Sequence, residues 1–330
     1  MAGPPSAHYR RLAEALARGK VVPFLGAGIN LYDRNPRTTP WTGSGGFLPT
    51  GRELAAYLAE RYGYVDTALD LARVSQWGCV LMDQDDLYGV LHDLFASEYR
   101  FNPLHAFFAR LPSVLAAKDY DDRYQLIITT NYDDALESAF DAAKEPYDLV
   151  WYAARAKDES SGRFFIRTHQ GVPEAILKAN AHDRLVEERS VILKIHGAVH
   201  RAEPSRDSYV IAEDHYIDYL SQSDIWNLIP VRLKQEMCES HFLFLGYSMQ
   251  DWNLRVLFNR IASEAQLTKK SWAIQPPPDD DGNPDAAQVE EKLWKAKLKD
   301  LDVYHVSLRQ YLEALEGAVE ELASRQIAAA

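Results

Sequence analysis

The fold is decided by residues 21–30, which read Val21-Val22-Pro23-Phe24-Leu25-Gly26-Ala27-Gly28-Ile29-Asn30. This short apolar run ending in Gly-Ala-Gly is typical of a buried β-strand followed by a tight turn. Glycine lets the backbone turn sharply or approach a ligand closely, because it has no Cβ. If a helix follows at once, its free N–H groups can hold a phosphate. Phosphate binding and a plain tight turn both fit, and the third glycine of the ordinary dinucleotide-binding fingerprint is absent.

Three later apolar runs also end in glycine or in compact polar clusters. Residues 124–129, 190–195 and 241–245 are followed, respectively, by Thr130-Asn131-Tyr132-Asp133-Asp134, by His196-Gly197, and by Gly246-Tyr247-Ser248 with Asp251 just beyond. These runs are continuously apolar, and helical patterns separate them. The pattern predicts an α/β fold, with a Rossmann-like, mostly parallel sheet and helices on both faces. Because ligands of such sheets bind beyond the carboxyl ends of the strands, the four strand ends predict one shared site.

A block of helical patterns separates the first two strands. Apolar residues at three- and four-residue spacing predict four helices there, over residues 52–62, 67–76, 85–97 and 103–110. We interpret residues 51–115 as an inserted helical subdomain, and residues 1–50 and 116–330 as the Rossmann-type domain. The segment 31–49, rich in Pro, Thr, Gly and Ser, is either a lid over the glycine turn or a disordered surface loop.

Weaker patterns complete the chain. In the polar segment 151–189 we expect a short strand at 163–168 and a helix near 173–179. Further strands are predicted over residues 271–275 and 303–308. The remaining helices are predicted over residues 6–19, 135–143, 212–220, 225–239, 252–262, 286–299 and 309–329.

The composition is that of an ordinary globular protein, since 47% of the 330 residues are hydrophobic and 25% are charged. A net charge of −12 gives no general attraction to nucleic acid or anionic membranes, so direct nucleic-acid binding is not expected. The two cysteines, Cys79 and Cys238, form no CxxC pair, so neither a structural zinc site nor a disulfide framework is expected. The sequence contains no signal peptide and no membrane-spanning stretch, which predicts a cytoplasmic location.

Two residues at the predicted strand ends carry the candidate chemistry. His196 titrates near neutral pH and suits a general base, although a lone histidine after a strand is more often buried and hydrogen-bonded. The amide of Asn131 can hold a water or a sugar hydroxyl, or it can form an Asx turn that caps the next helix. Asp133 can cap the same helix or bind an amide or a cationic ring. No catalytic triad elbow, zinc-protease motif or P-loop is present.

Taken together and in this order, the strand-end motifs resemble those of the sirtuin (silent-information-regulator) superfamily. The motifs are Phe24-Leu25-Gly26-Ala27-Gly28, Thr129-Thr130-Asn131-Tyr132-Asp133, Lys194-Ile195-His196-Gly197 and Phe244-Leu245-Gly246-Tyr247-Ser248. They are most similar to the bacterial sirtuin-like domains of antiphage defence proteins. Unlike the sirtuin deacylases, the chain has no four-cysteine zinc ribbon, and Asn30 and Thr130 stand where those enzymes usually have Ser and Gln.

This resemblance implies NAD⁺ as the substrate and no metal. It implies that Asn131 holds the attacking water or the nicotinamide ribose, and that His196 is the general base. The other residues implied to contact NAD⁺ are Gly26, Ala27 and Gly28 at the pyrophosphate, Asn30, Thr130, Asp133 near the carboxamide, Gly246 and Ser248 on the adenosine side, Asp251, and Tyr304 beside adenine.

The resemblance also implies a function: hydrolysis of NAD⁺ to nicotinamide and ADP-ribose by the regulated toxic effector of an antiphage, abortive-infection system. Two alternatives stay open, an NAD-dependent protein deacylase or ADP-ribosyltransferase, and a non-catalytic module that senses NAD⁺ or ADP-ribose. By analogy, a homo-oligomer is expected. The analogy also suggests a separately encoded partner, either a DNA-translocase ATPase (HerA/FtsK type) or an Argonaute-like activator.

Overall fold

A nine-stranded sheet forms the centre of the computed structural model, with the strand order β5-β4-β3-β6-β2-β1-β7-β8-β9. Six of its eight pairings are parallel, and the two antiparallel ones join β3, β4 and β5 at one edge. The structure describes residues 3–43, 46–66, 69–154, 161–221, 228–247, 269–277, 284–296, 298 and 300–324. The predicted Rossmann-like α/β fold is therefore confirmed.

Four α-helices separate the first two strands, and β3 to β6 follow one another without an α-helix between them in the described residues. The strands are β1 (Val21–Leu25), β2 (Leu126–Thr129), β3 (Tyr147–Ala153), β4 (Arg163–Arg167), β5 (Glu174–Ala175), β6 (Ser190–Lys194), β7 (His241–Leu245), β8 (Ser271–Gln275) and β9 (Leu301–His305). The α-helices of the described residues are α1 (Ser6–Leu16), α2 (Gly51–Tyr62), α3 (Leu71–Leu81), α4 (Gln84–Phe95), α5 (Pro103–Ala116), α6 (Ala135–Ala143), α7 (Glu213–Ser221), α8 (Val231–Glu239), α9 (Pro284–Lys295) and α10 (Leu308–Glu320).

Strand β1 shows why the strands read as continuous apolar runs. All five of its residues are buried, and successive side chains enter opposite faces of the sheet. Val22 and Phe24 join a core that is covered by α7, α8 and α9. Val21 and Leu25 join the core on the other face, where α1, α5, α6 and α10 pack. Each face is therefore closed by helices, as the sequence predicts.

The helices between β1 and β2 belong to two different packing units. Helices α2, α3 and α4 form a separate apolar cluster, which also takes in Tyr132 and Tyr209. Helix α5 instead packs on the sheet through Leu104, Phe107 and Phe108. The division of the chain into domains stays a prediction.

The segment 31–49 is folded back onto the start of α2 in its described part, residues 31–43 and 46–49. The buried guanidinium of Arg34 donates to both carboxylate oxygens of Glu53, at 2.5 and 2.7 Å, and to the carbonyls of Thr39 and Leu48. Burial raises the pKa of the Glu53 carboxyl, but the hydrogen bonds from Arg34 and Thr50 outweigh burial and lower this pKa to about 2. The described part of the segment is therefore ordered rather than disordered, and its role as a lid stays a prediction.

Several element boundaries differ from the sequence predictions. The helix expected near 173–179 is wrong, because the segment forms the two-residue strand β5, and Val172 and Leu177 are exposed rather than packed. Strand β3 was not predicted, although all seven of its residues are buried. Helix α3 begins four residues later than expected, and β9 begins two residues earlier. The predicted helix at 252–262 lies outside the described residues.

None of the helices in the described residues combines the length and the apolar character that a membrane crossing requires.

The carboxyl ends of β1 and β7 approach so closely that Gly246 has no room for a side chain. Gly246 adopts a φ of +66°, and a Cβ there would lie 2.2 Å from the Ile29 amide nitrogen. We expect Gly246→Ala to lower the free energy of unfolding by about 3 kcal/mol, from left-handed backbone strain and overpacking together. Gly89→Ala, in an open position on α4, is the matched control and should stabilise by up to about 1 kcal/mol. Thermal unfolding measures both, and equal midpoints would contradict the close approach.

Candidate functional site

The strand register places the ends of four neighbouring parallel strands at one level. Thr129 of β2 pairs with Leu25 of β1 on one side and with Lys194 of β6 on the other, and Leu25 also pairs with Leu245 of β7. The backbone continues this register one step further, since Thr130 donates its N–H to the Leu25 carbonyl and Ile195 donates to the Thr129 carbonyl. The segments that follow all four strands therefore lie at one edge of the sheet.

The glycine turn packs directly against the turn after β7. Gly26 donates its amide hydrogen to the Leu245 carbonyl at 3.0 Å, and Gly28 donates to the Gly246 carbonyl at 2.8 Å. A Cβ on Gly26 or Gly28 would lie 2.7 or 2.6 Å from the same Gly246 oxygen. The need for glycine thus has a structural cause, and these two amides have protein partners. Ala27 begins a five-residue 3₁₀ helix that ends at Leu31.

Asn131 presents a buried oxygen that has no hydrogen-bond partner among the described residues. The residue is 7% exposed, and its Oδ1 atom is enclosed without a donor. Its backbone N–H donates to Thr129 Oγ1, which in turn donates to the Leu25 carbonyl. An unpaired buried acceptor costs about 1–3 kcal/mol, so its persistence calls for an explanation such as a missing ligand.

The side chain of Asp133, rather than that of Asn131, bonds to the start of the following helix, one residue before the N-cap position of Asp134. Oδ1 of Asp133 accepts a hydrogen bond from the Ala135 amide at 3.1 Å, at the start of α6. Burial raises the pKa of this carboxyl to about 6, against the opposing charge of Lys194. Asp133 is therefore mostly ionised at neutral pH.

Two cations hold the 131–135 turn, and the sequence analysis missed both. The buried ammonium of Lys194 donates to the Asp133 carbonyl and to Glu137 Oε1. On the outer side, Arg201 donates to both oxygens of Asp134, and Tyr99 donates to the same carboxylate. The one signal for Lys194 in the sequence is its place inside an apolar run. Arg201 carries no such signal, because its partners are distant in the chain.

His196 is a buried histidine whose ring packs against two tyrosines. The ring centroids of Tyr216 and Tyr219 lie 5.5 and 5.8 Å from that of the imidazole, both edge-on. The residue is 4% exposed, and burial lowers the pKa of His196 to about 3. At neutral pH the imidazole is therefore uncharged and a weak base. This environment matches the alternative of a buried histidine, which the sequence left open. The catalytic role of His196 stays a prediction.

A cavity of about 390 Å³ lies beside Tyr219, one of the two tyrosines that pack on His196. Tyr219 lines this cavity and also contacts the imidazole ring. The other walls come from α3, α4, α7 and the end of β3, and include Gln76, Tyr152 and Asp218. Tyr219 is therefore shared between the cavity and the histidine.

The remaining predicted NAD⁺ contacts are more dispersed. Asn30 donates its side-chain amide to the Pro49 carbonyl at 3.0 Å, which ties the glycine turn to the end of the 31–49 segment. Tyr304 lies on β9, three strands from β1, where its ring packs on His8 and its hydroxyl donates to Asp302. Thr130 is half-buried between the glycine turn and Asn131. Ser248 and Asp251 lie outside the described residues.

In the described part of the chain, no three His, Cys, Asp or Glu side chains form a metal-binding group.

Comparisons with known proteins match this region of the chain. A sequence profile described as a SIR2-like domain matches residues 125–300, more than half of the 330 residues. The chain is also 22% identical over 254 residues to "Defense-associated sirtuin 2" of Bacillus subtilis. This similarity covers 76% of the chain and 20% of the relative, so the chain spans about a fifth of the length of the curated relative that it matches. Asn131 and His196 fall inside the profile match, whereas the glycine turn precedes it.

The pKa of His196 tests the buried position of its ring. The unfolded chain binds a proton at this residue below about pH 6.5, whereas the folded chain does so only near pH 3. The neutral, buried ring of His196 therefore makes its full contribution to stability above about pH 6.5, and this contribution is lost as the pH falls towards 3. When the pH falls from 6 to 5, we expect the free energy of unfolding of His196→Gln to fall by about 1 kcal/mol less than that of the parent protein. Denaturant unfolding at the two pH values measures this, and an NMR pKa of 6 or higher for His196 would contradict it.

Proposed function

The chain belongs to the SIR2-like domain family, and on that premise we propose that it hydrolyses NAD⁺ to nicotinamide and ADP-ribose. SIR2-like domains are NAD-dependent enzymes. The observation that carries the proposal is the unpaired, buried Oδ1 of Asn131 at the edge where the ends of β1, β2 and β6 meet. A ribose hydroxyl or an ordered water is a hydrogen-bond donor that would satisfy this oxygen.

The residues at the sheet edge fit such a substrate. Asn131 and Asp133 lie on one turn, and His196 follows the neighbouring strand, so an amide, a carboxylate and a neutral imidazole share the edge. The glycine turn lies beside them, because Thr130 is hydrogen-bonded to the end of β1. None of these three side chains requires a metal for the proposed reaction.

The reaction replaces the bond between ribose and nicotinamide with a bond to water. Nicotinamide leaves with the bonding electron pair, the water oxygen forms the new bond to the ribose, and the proton that the water gives up passes to solvent. Asn131 would hold the ribose hydroxyl or the water in line, which removes much of the entropic barrier. Asp133, mostly ionised above its pKa of about 6, would favour the positive charge that develops on the ribose.

His196 has a smaller part in this scheme than its residue type suggests. Burial holds the pKa of His196 near 3, far below the operating pH that suits a general base. The neutral ring can accept a hydrogen bond from the water or from a ribose hydroxyl. Because the cationic nicotinamide ring is already a good leaving group, we assign most of the rate enhancement to the positioning of the reactants by Asn131.

We further propose that the activity serves antiphage defence as a regulated effector. The support is the similarity to the Bacillus subtilis protein named Defense-associated sirtuin 2. An unregulated NAD⁺ hydrolase would deplete its own cell, so we propose that assembly into a homo-oligomer or the 31–49 segment restrains it. A separately encoded DNA-translocase ATPase or Argonaute-like protein is the proposed activator. Arg34 and Glu53 are the contacts that would have to open for that segment to move.

Replacing Asn131 and His196 tests the proposal. We expect Asn131→Ala to slow nicotinamide release on the order of 10²-fold or more, because it removes the group that positions the reactants. His196→Ala should slow release by a smaller factor, because it removes only a hydrogen-bond acceptor. His169→Ala, which alters an exposed histidine after β4, is the control and should keep full turnover. Nicotinamide release is measured by chromatography, with thermal unfolding as a check of the fold.

The same assay separates the alternatives. Nicotinamide release by the parent protein with NAD⁺ alone supports hydrolysis. Release that requires an acetylated peptide would instead support a deacylase. Tight binding of NAD⁺ without turnover would support a sensor. Normal turnover in both folded variants would remove the proposed mechanism.

A further inference from the structure

Lys194 carries a charge at one of the most enclosed positions of the sheet. It is the last residue of β6, it pairs in register with Thr129 on one side and Trp151 on the other, and it is 0% exposed. A buried ammonium is stable only where hydrogen bonds and an opposite charge compensate for its lost hydration. Its partners therefore show what the charge holds together.

Both partners of Lys194 in the described residues belong to the segment after β2. The Nζ atom donates to Glu137 Oε1 at 2.7 Å, on the first turn of α6. It also donates to the backbone carbonyl of Asp133, just before that helix. The Asp133 carbonyl precedes the helical hydrogen-bond ladder, which begins with Ser138 donating to the Asp134 carbonyl. The ammonium therefore supplies this carbonyl with a donor.

The ammonium joins the two chain segments that carry the candidate catalytic groups. Asn131 lies two residues before Asp133, and His196 lies two residues after Lys194. The turn is also held from the β1 side, where Thr129 Oγ1 accepts from the Asn131 amide and donates to Leu25. Thr129 and Lys194 thus fix the turn from two directions.

We propose that Lys194 is a positioning residue, whose bond to the Asp133 carbonyl fixes the 131–135 turn against β6 and so sets Asn131 and Asp133 for the reaction. This inference rests on the proposed NAD⁺ hydrolysis. Lys194 acts through the turn and does not touch the substrate. If Lys194 had a purely structural role, its only contribution would be the buried ion pair with Glu137.

The test removes both buried charges at once. Removal of Lys194 alone would leave Glu137 buried and unpaired, whereas apolar replacement of both partners of a buried pair is often neutral for stability. Lys194→Met/Glu137→Met keeps the side-chain lengths and removes the bond to the Asp133 carbonyl. We expect kcat to fall at least tenfold, and the amides of residues 134 and 135 to exchange hydrogen at least tenfold faster in the ligand-free protein.

Two further variants define the comparison. Glu137→Gln keeps an acceptor for Lys194, and the neighbouring Asp133 carboxylate still supplies an opposite charge. The bond to the Asp133 carbonyl should therefore stay in place, and kcat should stay within threefold of the parent value. Arg189→Met removes a partly buried ion pair with Asp148 at the other end of the same strand. It is the matched control and should change neither kcat nor exchange at residues 134 and 135. Circular dichroism and thermal unfolding confirm which variants are folded.

The outcomes separate this inference from the proposed function. A folded double variant with parent kcat and parent exchange would overturn the positioning role. If the double variant does not fold, a tenfold loss of kcat in folded Glu137→Gln would overturn it, because that variant keeps the bond to the turn. If the parent protein does not release nicotinamide, the proposed function fails, and hydrogen exchange at residues 134 and 135 still decides whether Lys194 holds the turn.

Discussion

Gly28 donates its amide hydrogen to the Gly246 carbonyl across a gap that has no room for a side chain. This contact locks the ends of β1 and β7 together, and the full-length parallel register of the two strands leads into it. The same register runs on through β2 and β6, so the four strand ends meet at one level. The candidate site depends on this alignment, because the register brings residues 26, 131, 196 and 246 to one edge.

The site is built from buried polar groups that are satisfied to different degrees. Lys194 and Asp133 are compensated by charge and hydrogen bonds, whereas the Asn131 oxygen lacks a donor among the described residues. Fixed polar groups in a dry setting need little reorganisation when charge develops during a reaction. Glu137 Oε2 also has no hydrogen-bond partner among the described residues, although its carboxylate is paired with Lys194. The Asn131 oxygen, on a turn that is otherwise well held, favours a ligand at this edge over a purely structural polar cluster.

Much of the fold could be predicted from the sequence, because each buried parallel strand is a continuous apolar run. The runs at 21–25 and 241–245 predict β1 and β7 to the residue. The helix expected near 173–179 failed because β5 depends on its pairing with β4, which the local sequence pattern does not contain. The placement of Asn131, Asp133 and His196 at neighbouring strand ends also follows from the pattern. Their surroundings do not, because Tyr216, Tyr219 and Arg201 come from segments whose approach depends on the whole fold.

In the proposed function, the open acceptor of Asn131 binds a nucleotide ribose. A crystal structure of the protein with ADP-ribose tests it most directly. The account predicts the ribose at the sheet edge, with Asn131 Oδ1 about 2.8 Å from a ribose hydroxyl or from a water bound to it. ADP-ribose bound elsewhere, or an Asn131 oxygen that bonds only to protein groups in that structure, would contradict the account.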